Sequence, residues 1–192
     1  MFDRLIALMY VFDNLLFSVN CFVNPPVKMK NQNDLKINKI YLSTILLLML
    51  VLPVISIVID TRSHQDQDLI ALVGKWFVFW AVGIRLLLAG IRQAAKPAFT
   101  LQEIFHIKNK ESEVIVRELG FANICFGITG VLSIFIPEWR AGAGFTGGLY
   151  MGIAGLYHII KKPVSANEMI AMVSDIYIFV VLAVYLYRYF VK

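Results

Sequence analysis

Five polar side chains stand inside apolar sequence and come from four separate segments: Arg85 in AVGIRLLLAGI, Glu118 and Asn123 in VIVRELGFANICFGITGVLSIF, His158 in GLYHII and Asp175 in VSDIYIFVV. A guanidinium recognises a carboxylate or phosphate through paired hydrogen bonds. A carboxylate beside an imidazole can move protons or act as acid and base, and a primary amide donates and accepts at once. Ionisable groups at membrane depth are costly, so they face a partner helix, a polar cavity or a substrate. Three function classes use this set. In a binding protein the five residues line a pocket and Arg85 meets an anionic head. In an enzyme acting on a lipid or quinone, Glu118 or Asp175 works with His158. In a small proton-coupled transporter the same carboxylates form the relay.

Each residue also has a purely structural counterpart. Arg85 and Glu118 can neutralise one another across two helices, Arg117 can extend to the headgroups, and Asn123 can join helices by hydrogen bonding. His158, near a span end, suits an interfacial histidine. Asp175 has no lysine or arginine near it in its own segment, so its partner is expected across the bundle, in Arg85 or His158. His64, His106 and His158 lie in separate segments without ligand spacing, which gives no metal site. No GxSxG, HExxH, P-loop or GxGxxG occurs, and the glycines of AGAGFTGG at 141–148 lack the lysine of a phosphate loop. Cys21 and Cys125 both lie in apolar stretches, as buried thiols do. No cofactor and no catalytic residue is assigned.

The elements that must position these groups are membrane helices. With 59% hydrophobic and 16% charged residues and a mean hydropathy of +0.72, the chain departs from soluble domains, which are about a quarter charged. The net charge of +5 is scattered between apolar runs, which argues for topology signals and lipid contact and against nucleic acid. Four spans are clear at 40–59, 69–91, 114–135 and 169–190. A fifth, at 141–160, is rich in glycine and free of charge. The expected architecture is therefore all-α, a bundle of five spans with a four-helix core from the last four. Residues 1–39 form an amino-terminal helix and a basic cytoplasmic linker, and residues 40–192 form the bundle. Segment 5–23 carries Asp13 and Asn14 at its middle; it either lies in the interface or makes a sixth span.

At a rise of 1.5 Å per residue, Arg85 and Asp175 lie about 9 Å in from the same end, Glu118 about 6 Å, Asn123 about 14 Å and His158 about 3 Å. All five share one leaflet, so a common pocket is expected if the helices turn their polar sides inward. In the third span Glu118, Ala122, Cys125 and Thr129 share a side; in the last, Glu168, Ala171, Met172, Asp175, Phe179 and Leu182 do. Gly144, Gly148, Gly152, Gly155 and His158 make a third stripe, whose glycines allow close packing.

Ten lysines and arginines flank the pocket end of the spans, in 24–39, 92–113 and 161–162, against Arg62, Arg140, Arg188 and Lys192 at the other. The richer side is expected to be cytoplasmic. Two capping boxes are readable. Thr100 and Glu103 would open a surface helix from Leu101 to Asn109, and Ser165 and Glu168 would cap the last span.

The combination of RELGFANICFGITG, a following glycine-rich segment ending in GLYMGIAGLYHI, and AVGIRLLLAGI before both resembles small uncharacterised bacterial membrane proteins of the DoxX-like kind, over residues 70 to 190. The resemblance implies a four-helix membrane bundle and brings no reaction. The expected setting is the bacterial inner membrane, with membrane lipids as partners and a second copy or a larger membrane complex as further candidates. The first expectation for function is a lipid-like or small hydrophobic ligand in the pocket, or an accessory subunit's role.

Overall fold

In a computed structural model the described residues, 37–63, 68–104, 107 and 109–191, are predominantly helical and include no strand. The amino-terminal helix expected at 5–23, and most of the basic linker, lie outside them.

Helix α1 runs over Lys39–Ser63. Asn38 caps it, its side chain accepting from the Tyr41 amide at 3.1 Å. Pro53 has no N–H and its ring crowds the carbonyl four residues back, and the chain answers with a wide π-helical turn at Leu47–Val51 just upstream. Helix α2, Leu69–Ala95, starts at Asp68, whose carboxylate accepts from the Ile70 amide. It contains a second π-helical stretch, Val78–Ile84, which ends where Arg85 begins. Each extra residue in a turn rotates the downstream helix by about 100°, so such a stretch re-aims the side chains beyond it.

After α2 the chain makes a short helical run, Pro97–Phe99 and Thr100–Ile104. This corrects the expected surface helix over 101–109. Proline supplies the first helical residue, so Thr100 sits inside the run and does not cap it, and Leu101 is buried against the bundle. Helix α3, Glu113–Leu132, comes after a single 3-10 turn. Helix α4, Trp139–Lys161, ends at Lys162, whose φ of 61° is left-handed and halts the helix before Pro163. Helix α5, Ala166–Val191, opens with the expected cap. The Glu168 amide donates to Ser165 Oγ at 3.1 Å, and Glu168 Oε2 accepts from the Val164 amide at 2.8 Å.

Glycine decides which helices touch. A Cβ on Gly90 would lie 2.6 Å from the Gly120 carbonyl oxygen, and one on Gly130 would lie 2.5 Å from the Gly83 nitrogen, so α2 and α3 pack backbone to backbone. Helix α4 sets Gly148, Gly152 and Gly155 against Leu182, Phe179 and Ile176 of α5. Val78, Ala81, Val82, Met151, Ile178 and Leu182 fill the centre with no exposure. Helix α1 joins from outside through Asp60, which accepts from Lys75 Nζ at 2.6 Å and from the Trp76 indole at 3.0 Å. The Trp80 indole adds a bond to Ser56 Oγ at 3.0 Å.

Much of the outer surface is apolar: α1 alone exposes Leu46, Leu50, Val54, Val58 and Ile59. A water-facing surface does not carry such a continuous patch, whereas a lipid-facing one must. Among the described residues four helices are long and apolar enough to cross a membrane: α1, α2, α3 with its leading turn, and α5. Helix α4 matches them in length with 23 residues, but its glycines dilute its apolar character and it does not qualify on composition. Four crossing-competent helices therefore stand where five spans were expected.

Candidate functional site

Arg85 comes directly after the π-helical stretch of α2 and points into the bundle. Its Nη2 donates to Asp175 Oδ1 of α5 at 2.7 Å, and both side chains are close to buried, 13% and 11% exposed. Nη1 of Arg85 points at the sulfur of Met151 at 3.6 Å. Asp175 thus meets one of its two expected partners. Arg85 does not pair with Glu118.

The pair borders a cavity of about 340 Å³ whose walls come from all five helices and from the Pro97–Ile104 run. Tyr41 and Thr44 enter from α1, Gln93 and Arg92 from α2, Asn123 from α3, Tyr150 and His158 from α4, and Ala171 from α5. Arg92, Phe99 and Lys161 border it where the helices end, so the space reaches from there inward to the Arg85–Asp175 pair. From the end of α2 that is about 15 Å of helix. Arg92 lies over the Phe99 ring, its guanidinium carbon 3.7 Å from the centroid. Lys161 is tied to the buried Glu168 at 3.3 Å.

Two buried atoms on this lining have no hydrogen-bond partner: Asn123 Oδ1 and His158 Nδ1. Asn123 is 2% exposed, and its amide nitrogen is committed to Gln93 Oε1 at 2.7 Å. An orphaned buried acceptor is expensive, and in a cavity its natural complement is a donor that arrives from outside.

Four of the five residues singled out from the sequence, Arg85, Asn123, His158 and Asp175, border this one cavity. Glu118 does not, and that is a correction. It is exposed, with Ala122 and Cys125 on the same outward side. The buried stripe of α3 is Val116, Gly120, Asn123, Gly127 and Gly130. The reason is packing: a Cβ on Gly120 would lie 2.7 Å from the Ala94 nitrogen, so the glycine face must turn toward α2. Sequence reading passed over Tyr41, Gln93, Tyr150 and the Arg92–Phe99 stack. Only the stack had a local signal, a basic residue seven positions before an aromatic one at a span end. Among the described residues no three histidine, cysteine or acidic side chains gather as a metal site would need.

These features define, among the described residues, a helical bundle with several helices fit to cross a membrane and a cavity at one end that carries a few polar groups. Residues 40–190 match the model of a family of unknown function, DUF6790, and the chain belongs to that family. No curated protein and no solved structure matches it.

Proposed function

We propose that the chain is a ligand-binding protein of the bacterial inner membrane, which holds a lipid-like or other small hydrophobic molecule in the cavity between its helices. The observation that carries this reading is the pair of orphaned polar atoms, Asn123 Oδ1 and His158 Nδ1, on the wall of a cavity floored by the Arg85–Asp175 pair. Ligand pockets are concave, largely apolar and fitted with a few convergent polar groups, and a volume of about 340 Å³ falls at the small end of their range. In this reading α4 crosses the membrane as a fifth span, its glycine face supported by α5. The lysines and arginines gathered at the cavity end set that end in the cytoplasm. The DoxX-like resemblance agrees with a four-helix core, α2 to α5, to which α1 is added.

Native mass spectrometry of the detergent-extracted protein tests the reading. A retained non-protein mass is expected on the wild type, held more weakly by Asp175→Asn because the floor of the cavity loses its charge pair. Protein that flies bare, or a mass retained equally after Asp175→Asn and Asn123→Leu, contradicts it. An enzyme would instead keep its ligand and lose turnover with Asp175→Asn, and a transporter would lose proton coupling.

A further inference from the structure

Resting on the cavity as a ligand site, the charges around it name the class of molecule it takes. The Arg85–Asp175 pair is closed, and Lys161 is matched by Glu168. What remains is Arg92, which has no acidic partner among the described residues and lies over the Phe99 ring at the mouth. Among the described residues the wall thus offers one uncompensated positive charge. Deeper in, Asn123 Oδ1 lacks a donor, which calls for a hydroxyl on the incoming head. The apolar part has its own place. Between α1 and α5 lies a groove of about 390 Å³ lined by Leu42, Leu46, Met49, Ile170, Val173 and Tyr177. Ile45 belongs to the walls of both spaces, so the cavity and the lipid-facing apolar track meet at that side chain.

We propose that the two spaces together bind an amphiphile with a singly anionic, hydroxyl-bearing head and an acyl tail. The head lies between Arg92 and Asn123, and the tail passes Ile45 into the α1–α5 groove. A phosphate diester with free hydroxyls has this chemistry, and so would a free anion without a tail; the two are separated by experiment.

The purified full-length chain is titrated in native mass spectrometry with monoacyl phosphatidylglycerol, with monoacyl phosphatidylcholine of the same tail, and with glycerol phosphate. The anionic amphiphile should be retained about tenfold or more over the zwitterionic one, and glycerol phosphate should not be retained. Arg92→Gln should remove most of that preference. Lys96→Gln, which neutralises an exposed cation at the same end but outside the cavity, should keep it. Equal retention of the two amphiphiles, equal losses in the two variants, or glycerol phosphate binding as well as the amphiphile overturns the proposal. Ala154→Phe and Ala89→Phe, which fill the cavity from α4 and α2, separate the two levels of failure. If both amphiphiles bind alike and both variants expel them, the cavity remains a ligand site and only the charge assignment falls. If neither filling variant changes retention, the cavity reading falls as well.

Discussion

Removing the Asp175 carboxylate would leave the Arg85 guanidinium without its ion-pair partner in a site where its side chain is only 13% exposed. Breaking one side of a buried pair costs about 3–5 kcal/mol, while replacing both sides with apolar groups is close to neutral. Asp175→Ala should therefore lower the thermal midpoint of the detergent-solubilised protein sharply, and the double variant Arg85→Met with Asp175→Leu should recover most of the loss. A single variant as stable as the wild type would show that the pair is not formed. Glu118→Gln, by contrast, should shift stability by about 0.5 kcal/mol or less, as surface changes do. That contrast marks where sequence reading stopped. Asp175 could be recognised because nothing in its own helix could neutralise it. Glu118 has the same chemistry in the same sort of run, and its outward position is set only by the glycines that turn α3 the other way.

The pairing of α2 with α3 depends on side chains that are absent. In Gly120→Leu the new Cβ would start 2.7 Å from the Ala94 backbone nitrogen, which cannot step aside. The helices must part, at a cost of about 1–3 kcal/mol or more. Gly142→Leu on α4 is the matched control, since a Cβ there meets nothing within 4 Å. Limited proteolysis in detergent should cut the first variant faster than the wild type and leave the second unchanged. Equal sensitivity would rule out the close approach. Losing the α5 cap in Ser165→Ala should cost about 1 kcal/mol. The Ser165–Glu168 cap was legible because a cap is local, and of the expected α5 stripe Glu168, Ala171, Asp175 and Leu182 are buried while Met172 and Phe179 are only partly so. The helix after Lys96 was misplaced because Thr100 and Glu103 have capping spacing, while Pro97, three residues earlier, already starts the turn. The two π-helical stretches have no counterpart in a periodicity of 3.6, so the aim of Arg85 was not readable.

At the scale of the molecule, the helices arrange one end rich in basic residues and one end held by the Asp60–Lys75–Trp76 contacts. In a Cys21→Ser, Cys125→Ser background, Lys162→Cys should be modified by a membrane-impermeant maleimide only in inside-out vesicles, and Arg62→Cys only in intact spheroplasts. Modification of both from one side would refute the threading in which α4 crosses the membrane. The composition made four of the apolar helices readable; the cavity was readable only in part, because Tyr41, Gln93 and Tyr150 reach it through the packing of helices remote in sequence. The most direct test of the cavity itself is photolabelling in native membranes with a phospholipid that carries a diazirine close to its head, and peptide mapping of the labelled protein. Label concentrated on Arg85–Gln93 and Tyr150–Lys161, and lost in Ala154→Phe, is the expected result. Label spread over the lipid-facing side chains of α3, such as Ile115, Phe121 and Ile128, and unchanged by Ala154→Phe, would contradict it.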